Sequence, residues 1–211
     1  MRTILLAVLD AASPQDKHTL FNALTPLVQT GSTDGYQLQL ATLPYAFKRS
    51  LVALEQLITQ HKPAVLLLLA QDATQTQISL EKVALNINHC LSPDQDNQTA
   101  KDSLTAQHGP AAYFSNLPLA ALVSSLQQQQ IPAQLSYHAG TGVANHAYYG
   151  LMHYIKHQNT NLQGALLKLP LLPKQACRVA GAASISARLT CEALTLVTQQ
   201  CASSTAAIRA V

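Results

Sequence analysis

The chain has 211 residues, long enough for one domain with a full hydrophobic core. Hydrophobic residues make up 48% and charged residues 11%, which excludes a disordered chain. The formal net charge of +3 comes from scattered lysines and arginines and gives no case for a nucleic-acid partner. Cys90, Cys177, Cys191 and Cys201 have no CxxC spacing and no neighbouring histidine pattern, so they read as free thiols in a reducing compartment.

Taken in chain order, the first apolar run is Ile4 to Leu9, which Asp10 ends before any cleavage-like site. It reads as a buried strand over 3–9 rather than a secretion signal. No run approaches the roughly 20 apolar residues that span a bilayer, so no membrane partner is expected and the protein is placed in the cytoplasm. A second strand is expected over 36–42. In "FKRSLVALEQLITQH", Leu51, Leu54, Leu57 and Ile58 fall on one helical face. "PAVLLLLA" at 63–70 is apolar on both faces, as a central covered strand should be. Residues 89–116 are polar and irregular, which marks a functional or mobile loop. A helix follows through "LPLAALVSSLQQQQ" with Pro118 in its first turn, then a strand at 134–137. Another helix starts near Val143, a strand covers 164–169 and a last helix covers roughly 186–201. This alternation predicts one α/β domain over 1–211: an open, twisted, mostly parallel sheet with helices on both faces. A ligand should then lie beyond the carboxyl ends of the strands, near the loops after 70, 137 and 169.

Several stretches in order resemble the pyroglutamyl peptidase I family, also called pyrrolidone carboxyl peptidases. "LPYAFKRSLVALEQLITQHKPAVLLLLAQ" is similar to that family's helix–strand pattern, with Ala70-Gln71 where the family has Gly-Gln. "ISLEKVALNIN" resembles the segment of the catalytic Glu, which falls on Glu81. "GPAAYFSNLP" is close to a family signature. "AGTGVANHAYYGLMHY" resembles the segment in which A-G-T precedes the nucleophilic Cys, and "GALLKLPLLP" the strand end carrying the His. The resemblance covers nearly the whole chain. It implies an α/β/α fold, a cysteine peptidase that removes N-terminal pyroglutamyl residues, no metal or other cofactor, and a homo-oligomer, dimer or tetramer.

The same resemblance puts Ala144 at the nucleophile position and Lys168 at the His position. A methyl group can neither attack nor ionise, and a lysine with an ordinary pKa of about 10.4 is a poor general base at neutral pH. Glu81 is retained. The Arg near the oxyanion becomes Leu91 in "HCLSPD", and the two pocket rings after the first strand become Leu9 and Ala12, with Asp10 keeping the acidic position. A further aromatic becomes Gly142, and "QDATQ" at 71–75 lacks two glycines and an Arg. Gln71, Asn86, Val143, Asn145 and His146 are retained, which leaves Leu9, Ala12, Gln71, Leu91, Gly142 and Val143 as the expected pocket. Loss of the rings and the Arg implies an enlarged cleft. Thr141 and His146 read as structural, and His138 as a surface imidazole. Cys90 lies near the old oxyanion position but with nothing to put it at a helix N-terminus. Lys168 is expected to pair with Glu81 across the vacant site; a buried amine could instead act as a base or form an imine. The reading is a non-hydrolytic pseudoenzyme with a binding or regulatory role and a small molecule or peptide in its cleft. The alternatives are an enzyme of altered chemistry using Lys168 and Glu81, with Asp10 as a third member, or residual pyroglutamyl-peptidase activity.

Overall fold

A computed structural model describes residues 2–207 except 12, 31, 34 and 159. Its strands are β1 (Arg2–Leu9), β2 (Ser32–Thr33), β3 (Tyr36–Leu43), β4 (Val65–Gln71), β5 (Ile78–Glu81), β6 (Val83–Leu85), β7 (Asn88–Cys90), β8 (Ala100–Ser103), β9 (Ala112–Phe114), β10 (Ala133–Ser136) and β11 (Gln163–Leu169). Its helices are α1 (Thr19–Thr30), α2 (Phe47–His61), α3 (Leu119–Gln128), α4 (Val143–His157), α5 (Pro173–Ala176) and α6 (Ala187–Ala207). Each strand and helix expected from the sequence is present, with ends shifted by a few residues.

The main sheet has the order β10-β5-β11-β4-β1-β3-β2. β3, β1, β4 and β11 run parallel. Burial of β1 and β4 on both faces follows from their position in the middle, where only apolar residues are tolerated. One core gathers Leu24, Leu122 and Leu194 from α1, α3 and α6 on one face. The other gathers Leu54, Tyr148 and Leu151 from α2 and α4.

Three features were not read from the sequence. Helix α1 holds Pro26 in its interior, a residue that ordinarily ends a helix, and yet Leu20, Leu24 and Leu27 keep a buried stripe at helical spacing. β5 is only four residues long and runs antiparallel to β11, and β10 pairs parallel to β5, so this edge of the sheet is reversed. The polar segment 89–116 is not one loop: β7 pairs with β8 and β9 pairs with β6.

That segment is pinned by buried polar side chains. Asn86 accepts from the backbone N–H groups of Thr105 and Ala106 at 2.9 Å and donates to Ala106 O at 2.8 Å. Asn145, inside α4, accepts from Leu85 N and donates to Leu85 O, both at 2.9 Å. Asp94 is buried and accepts from Phe47 N at the start of α2, and from the N–H groups of Asp96 and Gln98. Since α2 has no cap from its own N-cap residue, Ala46, this long-range carboxylate takes that role. Asp94→Ala would leave three donors without their acceptor, and we expect urea unfolding to show a loss of about 2–3 kcal/mol. Arg49→Gln, which removes an exposed pair with Asp96, should move the midpoint little.

Candidate functional site

A cavity of about 420 Å³ opens at the carboxyl ends of β1, β4 and β11, where the alternation of strands and helices places a ligand site. Leu9, Gln71, Gly142, Val143, Ala144 and Lys168 all line it. Although β10 runs the opposite way, the residues after it return to this cavity as the bend that starts α4. Gly142 is the extended N-cap of that helix and offers no side-chain cap. Gly140 takes φ +79°, a conformation that favours glycine, and a Cβ there would stand 3.5 Å from the Lys168 ammonium. Ala144 therefore sits in the first turn of α4, on the wall that Lys168 shares from β11.

The expected pair between Lys168 and Glu81 is not formed. Lys168 Nζ donates to Asp72 Oδ2 at 3.2 Å, and its side chain is 11% exposed. Strand register explains the choice. Lys168 is level with Ala70, and Asp72, two residues on, projects to the same side just beyond the sheet. Glu81 is level with Leu166, one pleat back, while the lysine stem reaches forward. Burial pushes the Asp72 carboxyl up, but the hydroxyl and N–H of Thr74 and the Lys168 ammonium outweigh it and hold it below the ordinary range. Glu81 goes the other way. Burial raises it, more than the Ser136 hydroxyl, Lys168 and His138 lower it, and its Oε2 has no hydrogen-bond partner.

Glu81 and Leu91 do not line the cavity. Glu81 is buried on β5 at 1% exposure, and its carbonyl accepts from the Tyr148 hydroxyl at 2.8 Å. Leu91 points to solvent at 63% exposure. Side chains alternate as the chain leaves β7, so Cys90 turns inward and Leu91 outward. A Cβ on Gly142 would meet Cys90 Sγ at 3.9 Å, so this thiol does lie beside the start of α4, contrary to expectation. Ala12 lies outside the described residues.

Rings are not absent from the cavity either, because Tyr45 and Phe21 contribute to its wall. Tyr45 is fixed by its carbonyl accepting from Gln95 N, and burial, with Cys90, Asp72 and Asp94 nearby, raises its phenol. His18 and Asp10 form another part of the rim. The buried Asp10 carboxylate accepts from His18 N at 2.9 Å, with the imidazole Nδ1 at 3.4 Å and His18 held at φ 59°. Gln71 and Gln175 exchange two amide hydrogen bonds at 2.7 and 3.0 Å, tying β4 to the start of α5. Asp72, Tyr45, His18 and Gln175 were missed from the sequence. Only Asp72 carried a signal there, as an acid at period two from Ala70 past a strand end.

The retained polar residues outside the cavity serve the scaffold. Thr141 donates to His89 O at 2.7 Å. His146 is buried, with Nδ1 at 3.0 Å from Asn88 Oδ1 and 3.1 Å from Thr105 Oγ1, and burial pulls its pKa down to about 4. His138 is exposed.

The sequence profile of the pyroglutamyl peptidase family matches residues 22–204. The chain belongs to the pyroglutamyl peptidase family. It is 34% identical to the pyrrolidone-carboxylate peptidase of Brevibacillus brevis over 186 residues, covering 88% of this chain and 86% of that one. With the enzyme of that name from Yersinia pestis the identity is 37% over 162 residues, 77% of this chain and 75% of the other. Among solved structures, pyroglutamyl peptidase I from Bacillus amyloliquefaciens superposes with a TM-score of 0.86 at 29% identity, covering 92% of each chain. Pyrrolidone carboxyl peptidase from Fervidobacterium islandicum gives 0.89 at 25% identity, covering 96% of this chain and 99% of that one. These family members share the α/β architecture with a mostly parallel central sheet.

The raised Glu81 carboxyl has a consequence for stability. A carboxyl whose pKa rises on folding favours the folded state at low pH, and that contribution is lost as pH climbs through the folded value. Glu81→Gln should therefore unfold at a higher temperature than the wild type at pH 8, with the gap closing towards pH 4. Melting curves at both pH values check this; a gap independent of pH would contradict it.

Proposed function

We propose that this member of the pyroglutamyl peptidase family does not hydrolyse pyroglutamyl amides, and that its cavity binds a small molecule or peptide in a binding or regulatory role. The observation that carries the reading is that Ala144 and Lys168 line one cavity. They stand where the family resemblance assigns the nucleophile and the base. Thiol catalysis needs a sulfur made nucleophilic by an adjacent base. At 144 there is only a methyl group. At 168 the amine is engaged by a carboxylate, and an ammonium has no lone pair with which to take a proton. In a nucleophile–base pair, loss of either member costs on the order of 10⁶ in kcat.

In this reading the protein works as a homo-oligomer in the cytoplasm, without cofactor or nucleic acid. Among the described residues no helix is long and apolar enough to cross a membrane. The volume of the cavity suits an occupant the size of an amino acid or a short peptide. Three carboxylates (Asp10, Asp16 and Asp72) face it along with Lys168 and His18, so the occupant is polar.

The test is turnover of a fluorogenic pyroglutamyl amide by the wild type and by Ala144→Cys. Neither should exceed the uncatalysed rate, because the new thiol would meet an ion-paired lysine instead of an imidazole. Recovery of activity by Ala144→Cys alone would show that the base and pocket are still competent. Wild-type turnover abolished by Glu81→Gln or Lys168→Met would replace this reading with an enzyme of altered chemistry.

A further inference from the structure

Helix α4 carries a pair of histidines on one face near its other end. In "HYIKH", His153 and His157 are four residues apart and so project from the same side of the helix, one turn from each other. Their ring centroids are 4.1 Å apart at an interplanar angle of 44°. His153 is held in place. Its Nδ1 is 2.9 Å from the Tyr113 hydroxyl, the Tyr149 ring stacks on it at 5.9 Å and 20°, and the Tyr113 ring meets it edge-on at 5.8 Å. His157 is exposed in the last turn. None of these four residues lines the cavity. Along α4, His153 is about 14 Å from Ala144 at a rise of about 1.5 Å per residue.

We propose that His153 and His157 form a chelating site for a late first-row divalent ion, of the copper, nickel or zinc type. Imidazole is a ligand that suits these ions, and two histidines at i and i+4 are the spacing with which a helix face holds zinc. The contact from Tyr113 to Nδ1 leaves Nε2 as the free nitrogen of His153. A hydrogen-bond partner on the second ring nitrogen is what orients metal-binding histidines and sets their basicity. Among the described residues no third His, Cys, Asp or Glu is grouped with the pair, so the remaining coordination positions fall to water and the site is open. Tyr154 follows His153 where the zinc peptidase helix H-E-x-x-H carries its general base. The site therefore binds an ion without the acid–base group of a metallopeptidase.

The experiment is titration of the metal-stripped chain with Cu²⁺, Ni²⁺ and Zn²⁺ by calorimetry, with the visible Cu²⁺ band as a second readout of nitrogen ligation. One ion per chain is expected. His157→Gln, an exposed change that leaves the fold intact, should weaken binding by at least tenfold, and Tyr113→Phe by about tenfold at unchanged stoichiometry. His89→Gln, away from the site, should change nothing. Absence of binding by the wild type, or equal binding by the double variant His153→Gln/His157→Gln, would overturn the proposal. Because the readout is metal affinity, either result leaves the reading of the cavity as it stands.

Discussion

The ion pair between Lys168 and Asp72 is the interaction on which the character of the cavity depends. It joins the ends of two adjacent central strands at 3.2 Å, in a place where the lysine side chain is nearly enclosed. Charges so placed are screened less by salt than exposed ones. One ammonium here faces two carboxyls, and geometry assigns it to Asp72. Glu81, without a full partner and out of water, is the carboxyl that shifts towards its neutral form. The acid that the family resemblance marks as catalytic is a buried residue behind the wall, its carboxyl hydrogen-bonded by the Ser136 hydroxyl and its backbone carbonyl accepting from the Tyr148 hydroxyl.

Around this pair the fold is held by buried polar contacts that take no part in the cavity. Asn145 and His146, next to Ala144 on α4, turn away from the cavity and bind the segment that carries β6, β7 and β8. That segment is locked in turn by Asn86, and through Asp94 to the start of α2. A neutral, buried imidazole at His146 suits this fixed role, since burial keeps it uncharged well below neutral pH. Asn86, Asn145 and His146 are thus accounted for by what they hold together.

The parts of the fold legible in the sequence are those with long apolar runs or strong periodicity. β4 is covered on both faces and read as such, β1 read as a buried strand and β11 as a strand, and α2 shows its buried stripe. β5 was not legible, because four residues cannot establish a period and its partner β11 lies far along the chain. Pro26 concealed α1. In the site, the common wall of Ala144 and Lys168 followed from matched motifs. The partner of Lys168 did not, since choosing between Asp72 and Glu81 needs the register of two strands. That the Leu91 side chain faces solvent was not legible either, since neighbours in this segment face opposite ways.

Whether any group in the cavity can attack an amide carbonyl decides the character of this protein. A single-turnover experiment with the wild-type protein in large excess over a pyroglutamyl amide measures this most directly, since even one slow acyl transfer per molecule would release detectable amine. No release above the rate in buffer is expected over many hours. Release of amine in a stoichiometric amount, or a mass increase of the protein by one pyroglutamyl group, would contradict this expectation.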